Sequence, residues 1–143
     1  MVDVGAKPVT RRVAVARGRV TMEPATVALV REGRAAKGDV IATAHLAGVL
    51  AAKRTSELIP LAHPVPIDGI QIAFKFGRDA IAIEARVTTS ARTGVEMEAL
   101  TAVTVAALTL YDMLKSADRG IVIGEIALWE KSGGRRGPYR RNA

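Results

Sequence analysis

The sequence has no cysteine among its 143 residues, which excludes disulfide frameworks, thiolate metal sites, iron–sulfur clusters and cysteine nucleophiles together. Aromatic residues are scarce: one tryptophan, two tyrosines and two phenylalanines leave little for stacking on bases. No apolar run reaches the roughly 20 residues that cross a bilayer, and the longest, around 40–52 and 99–111, are each broken by a polar residue. The first seven residues hold no cationic segment followed by an apolar one, so no export signal is expected and the cytoplasm is the default location. The spacings GxxxxGKS/T and GxGxxG are missing as well, which argues against a nucleotide-hydrolysing motor and a dinucleotide oxidoreductase.

What is present fits one domain with a real core, since 49% of the residues are hydrophobic. The net charge of +7 is unevenly spread. Eight arginines lie in two windows without acids, Arg11, Arg12, Arg17 and Arg19 near the start and Arg135, Arg136, Arg140 and Arg141 near the end; without them, the 21 basic residues fall to 13 against 14 acids. Two readings follow: a positive rim for a phosphorylated small molecule, or a module binding RNA or DNA. The second requires binding that weakens steeply with salt and is lost with residues 135–143.

Loose alternation over 13–22 predicts a strand, and Pro24 suits the first turn of a short helix reaching Glu32, where Gly33 stops it. Asp39 reads as the N-cap of a helix over 40–59 that ends at Pro60 and Pro64. Apolar residues at period two, Ile70 to Phe76 and Ile81 to Val87, predict a hairpin turning at 77–79. A long alanine- and leucine-rich helix is expected over 94–115, with acids at its start and lysine at its end as the macrodipole favours, and a last strand over 121–130. The tail after Lys131 looks mobile. Interspersed strands and helices with hairpin pairing predict an α+β fold, an antiparallel sheet covered by helices.

Several residues could carry chemistry. His45, inside an apolar helix, fits a core or interface histidine better than a ligand, whereas His63, restrained between Pro60 and Pro64, is either ligand-facing or a solvent-exposed part of a rigid connector. Glu96 and Glu98 in the first helical turn either favour the dipole or hydrogen-bond the N–H groups of a purine or pterin. Asp112 and Lys115, at i and i+3, are neighbours on the helix; they form an ordinary surface ion pair or, if buried, a tuned proton-transfer pair. Lys37 and Lys53 add cations, and Gly133-Gly134 could expose backbone N–H groups to phosphate.

The segments KGDV at 37–40, AAKRT at 51–55, LIPLAHP at 58–64, TGVEMEALTA at 93–102, LYDMLK at 110–115 and KSGG at 131–134 occur in this order and with characteristic gaps. Together they resemble the cyclic pyranopterin monophosphate synthase family, the C protein of molybdenum cofactor biosynthesis, over nearly the whole chain. The resemblance implies a ferredoxin-like α+β fold with helices packed on one face of the antiparallel sheet. It implies a single catalytic domain over 1–134 with a basic tail over 135–143. It also implies a lyase that converts a cyclic dihydro-GTP intermediate, made upstream by a radical iron–sulfur enzyme, into cyclic pyranopterin monophosphate with release of pyrophosphate. No cofactor is implied, although a divalent cation accompanying the triphosphate is left open. Family members are homohexamers, trimers of dimers, with sites at subunit boundaries, which leads us to expect Lys37 and Asp112 to meet across two chains. Neither a membrane nor a nucleic acid is implied as a partner.

Roles transfer by position. Asp112, Lys37 and Lys115 match the catalytic aspartate and lysines, with the lysines as proton donor and acceptor, one of them of lowered proton affinity through partial burial. Leu61, Ala62 and His63 match a substrate-binding stretch, as do Met97 and Glu98 with Glu96 beside them. Lys53, Arg54 and Lys131 are expected to hold the triphosphate. Two positions depart from the family pattern. Ala62 stands where a cysteine is common, so no thiol is needed there, and Arg92 replaces a lysine, keeping charge but not proton-transfer capacity.

Overall fold

The computed structural model describes residues 1–142. Its elements are β1 (Thr10–Thr21), α1 (Pro24–Arg31), α2 (Val40–Lys53), α3 (Thr55–Leu58), β2 (Gly69–Phe76), β3 (Ala80–Ala91), α4 (Glu96–Leu114), β4 (Val122–Ser132) and β5 (Tyr139–Arg140). The sheet runs β2-β3-β1-β4-β5, and every neighbouring pair is antiparallel. Setting aside the short α1, α3 and β5, the order is strand, helix, strand, strand, helix, strand, with β1 in the middle of the sheet. This is the split βαβ arrangement of ferredoxin-like folds, and α2 and α4 pack together on the sheet.

Local chemistry accounts for most of these boundaries. Pro24 begins α1, and Gly33 takes the left-handed conformation just past its end. Asp39 caps α2 by accepting from the Ala42 N–H at 3.0 Å. The same helix stops at Lys53 rather than running on to 59 as its composition suggests. Thr55 Oγ1 folds back to donate to the carbonyls of Ala51 and Ala52, satisfying acceptors that a continuing helix would use, and only the single turn of α3 follows.

Alternation sends Ala14, Ala16 and Val20 of β1 and Ile81, Ile83, Ala85 and Val87 of β3 into the core. They meet Ala99, Ala102, Val103, Ala106, Ala107 and Leu110 of α4, all fully buried. With 19 residues, α4 is by length and composition apolar enough to cross a membrane, contrary to what the runs in the sequence suggest, yet ten of its residues are buried in the core of the domain. Gly48 sets the spacing of the two helices: a Cβ there would lie 2.6 Å from Ile72 Cδ1 and 3.0 Å from the Ala102 carbonyl oxygen.

The helix-free face of the sheet carries cross-strand ion pairs. Arg17 Nε lies 2.7 Å from Glu84 and its guanidinium stacks over Trp129 at 4.5 Å, while Arg19 faces Asp79 and Arg86 faces Glu130. The N-terminal arginine cluster is thus divided: Arg17 and Arg19 are paired with acids on this face, and Arg12 is buried. The basic tail, which looks mobile in the sequence, returns to the sheet as β5, with Arg140 opposite Glu130 and Tyr139 opposite Lys131.

Asp118 ties α1 to the end of α4. Its carboxylate accepts from the Glu23 N–H, the Thr26 hydroxyl and the Gly120 N–H, each at 2.9 Å, and so caps a helix whose own N-cap side chain makes no such bond. Asp118→Ala is expected to lower the unfolding free energy by about 2 kcal/mol in urea titrations, because it leaves buried donors unpaired. The N–H of Glu23 holds the Asp118 carboxyl below its ordinary range, outweighing the opposing effect of burial. A depressed folded-state pKa contributes stability that is complete above the unfolded value and lost as pH falls through the folded one. The stability gap between wild type and Asp118→Asn should therefore shrink below about pH 4.

Candidate active site

Chain direction sorts the candidate residues to two ends of the domain. Helices α2 and α4 run antiparallel, so Lys37, just before α2, lies beside Asp112 near the end of α4, and Gly48 rests on Ala102 and Ala106. The end of α2 then falls beside the start of α4, where β1 and β2 begin and β3 and β4 end.

At the first end, both lysines converge on one carboxylate within a single chain. Lys115 Nζ is 2.9 Å from Asp112 Oδ1; Lys37 Nζ is 3.3 Å from Asp112 Oδ2 and donates to the Asp112 carbonyl oxygen at 3.0 Å. The expectation that Lys37 and Asp112 meet across two chains is corrected here: the loop after α1 is short enough to lay Lys37 on α4 of its own chain. Hydrogen bonds from Lys115 and then Lys37 hold the Asp112 carboxyl below the usual carboxylate range. The Asp112 carboxylate in turn raises the proton affinity of Lys115, so Lys115 is not the lysine of lowered affinity. The physical reason is exposure: the Lys115 side chain is 53% exposed, so its ion pair with Asp112 outweighs desolvation.

At the other end lies a cleft of about 610 Å³ lined by Lys7, Arg12, Thr93, Glu96, Lys131 and the turn at 133–136. Lys131, on the helix-facing side of β4, is 2.9 Å from Glu96 in the first turn of α4. Glu98, two residues on in the same turn, is 4% exposed, and burial raises its pKa against the lowering effect of its own backbone N–H. Its carboxyl is desolvated within this chain, while Met97 points outward. The connector after α3 arrives at this end, pinned by a hydrogen bond from the Thr89 hydroxyl to the Pro66 carbonyl and by the Asp68 N–H to the Thr88 carbonyl. Leu61 on it is exposed, and Ala62 and His63 are half-buried. Lys53 and Arg54 are exposed at the same end but do not line the cleft. His45 sits on the outer face of α2 next to Leu46 and is exposed, which removes the core half of its reading and leaves the interface half.

Arg12 is the residue that sequence reasoning missed. Only 9% exposed, it donates from Nε to the Ala91 carbonyl at 3.0 Å and from Nη2 to the Arg92 carbonyl at 3.2 Å. No carboxylate among the described residues pairs with it. Its remaining Nη1 faces Gly134, where any Cβ would collide with it, and a Cβ at Gly133 would strike the Arg11 carbonyl. A buried cation held by two carbonyls and no counter-charge leaves uncompensated positive potential at the wall of the cleft. The signal was available in the sequence: the parity that turns Ala14 and Ala16 inward also turns Arg12 inward.

The two ends are separated by the length of α4, with Glu96 and Asp112 roughly 24 Å apart along its axis. Within one chain, the lysine–aspartate cluster therefore does not face the cleft.

The model of the MoaC family matches residues 1–134. A protein of Thermomicrobium roseum named cyclic pyranopterin monophosphate synthase is 62% identical over 143 residues, covering 99% of this chain and 86% of its own length. One of Mycobacterium tuberculosis, named cyclic pyranopterin monophosphate synthase 3, is 60% identical over 99% of this chain and 81% of its own length. A protein of Brevibacillus brevis named cyclic pyranopterin monophosphate synthase is 54% identical over 99% of this chain and 89% of its own length. On a family match over residues 1–134 and relatives 54–62% identical over nearly its whole length, the chain belongs to the MoaC family.

Proposed function

We propose that this chain is a cyclic pyranopterin monophosphate synthase of molybdenum cofactor biosynthesis, a lyase. Its substrate is the cyclic dihydro-GTP intermediate delivered by a radical iron–sulfur enzyme, and its products are cyclic pyranopterin monophosphate and pyrophosphate. The observation that carries the reading is the convergence of Lys37 and Lys115 on Asp112. Opening the imidazole ring of the guanine by addition of water and cleavage of a C–N bond, and rebuilding it as a pterin, both require protons to be moved, and a donor and an acceptor amine flanking one carboxylate supply those transfers. Lys115, whose proton Asp112 holds, is the donor; Lys37 is the acceptor; Asp112 positions both. The cyclic phosphate closes when a substrate hydroxyl attacks phosphorus and pyrophosphate leaves, and Lys131 and Arg12 stabilise the charge on the departing group.

Because the cleft and the lysines lie at opposite ends of α4, the working site takes one end from each of two chains. Helices α2 and α4 turn Leu46, Leu50, Met97 and Leu108 outward, exposed by 59%, 46%, 37% and 56%, an apolar layer suited to a second copy. A two-fold axis across that layer sets the lysines of one chain against the cleft of its partner, twice per dimer. His63, Leu61, Ala62 and Glu96 then border the substrate from the cleft side, and Lys53 and Arg54 add positive potential at its rim. Three such dimers make the expected hexamer, working in the cytoplasm. The test is direct: the purified protein is incubated with the cyclic GTP-derived intermediate, and a fluorescent pterin is sought after oxidation. Absence of pterin and of released pyrophosphate overturns the reading.

A further inference from the structure

The tail is not an appendage of the fold. After β4 the backbone turns through Gly133 and Gly134, both with positive φ, and turns again at Gly137 before Tyr139 and Arg140 pair back onto Lys131 and Glu130. Beyond them Arg141 donates its N–H to the Trp129 carbonyl and its Nε to the Leu128 carbonyl, each at 2.8 Å. The loop between β4 and β5 is thus anchored on both sides. It carries Arg135 and Arg136 to the wall of the cleft that holds Arg12 and Lys131. Among the described residues, neither arginine has a carboxylate within ion-pair distance, and the only acid lining the cleft, Glu96, is engaged by Lys131. Five cations, one of them buried, therefore face one another across a space of about 610 Å³ with a single negative charge between them. Their mutual repulsion is relieved by a ligand with several negative charges in a short span, which a chain of phosphates has and a single carboxylate lacks.

We propose that the β4–β5 hairpin is a polyphosphate strap, in which Arg135 and Arg136 grip the outer phosphates of the substrate and hold the pyrophosphate after it departs. The inference rests on the synthase reading for the identity of the substrate, but the strap itself is tested with inorganic pyrophosphate alone. Calorimetric titration of the full-length protein with pyrophosphate is compared with that of Arg135→Ala/Arg136→Ala and of a chain ending at Gly134, each checked for native circular dichroism. Both variants are expected to bind pyrophosphate about tenfold more weakly, with a shallower dependence on salt. In the synthase assay, KM for the intermediate should rise by a similar factor, as should the inhibition constant of pyrophosphate. Equal pyrophosphate affinity in wild type and both variants, or no binding by wild type, overturns the strap. A wild-type protein that binds pyrophosphate in this way yet makes no pterin overturns the synthase reading and leaves the strap standing.

Discussion

Lys37→Ala, Asp112→Asn and Lys115→Ala are each expected to lower turnover of the cyclic intermediate by about a thousandfold, the scale of a lost general acid or base. All three side chains are exposed at the surface of the isolated chain, so melting temperature and circular dichroism should stay near wild type. The variants differ in a second observable. Asp112 raises the proton affinity of Lys115, and a donor must be protonated to act. With Asp112→Asn the amine loses its proton at lower pH, so the alkaline limb of the residual pH–rate profile moves down. In Lys37→Ala that limb stays where the wild type has it. Wild-type turnover in any of the three removes the lysine–aspartate cluster from the chemistry.

Mixing two dead chains should restore activity. Lys37→Ala damages the lysine end and Lys131→Ala the cleft end, and each homodimer then carries the same defect in both of its sites. In a mixed dimer, one site combines the two lesions while the other draws an intact end from each chain. Random pairing after co-expression, or after unfolding and refolding together, is therefore expected to yield about a quarter of wild-type turnover. Recovery depends on the two residues acting in different chains, so a mixture as inactive as its parents places them in one. The roughly 24 Å of helix between the two ends makes that outcome physically hard to accommodate.

Most elements of this fold were legible because each follows a local rule. Period-two burial marks β2 and β3, Asp39 and Pro24 mark helix starts, and the alanine-rich run marks α4. The misreadings share a cause: tertiary contacts that no local pattern encodes. The end of α2 is decided by the Thr55 hydroxyl, and the order of the tail by pairing with β4. At the site, the residue types were readable but their grouping was not. Sequence order interleaves the two sets: Arg12 precedes Lys37, and Asp112 and Lys115 fall between Glu98 and Lys131. Only the antiparallel course of α2 and α4 separates them into ends. Burial was the other blind spot, since a carboxyl at a helix start such as Glu98 reads as exposed until the neighbouring elements are placed around it.

Helix α4 bears Glu96 in its first turn and Asp112 in its last, with fully buried alanines between them. It therefore acts as a rigid gauge for the catalytic geometry. One residue inserted between those positions would rotate one half of the machinery about 100° against the other and lengthen the rod by about 1.5 Å. Changes of chain length in this protein are consequently confined to its turns, with 77–79 between β2 and β3 the safest place, because nothing there measures the gap between the amines and the phosphates.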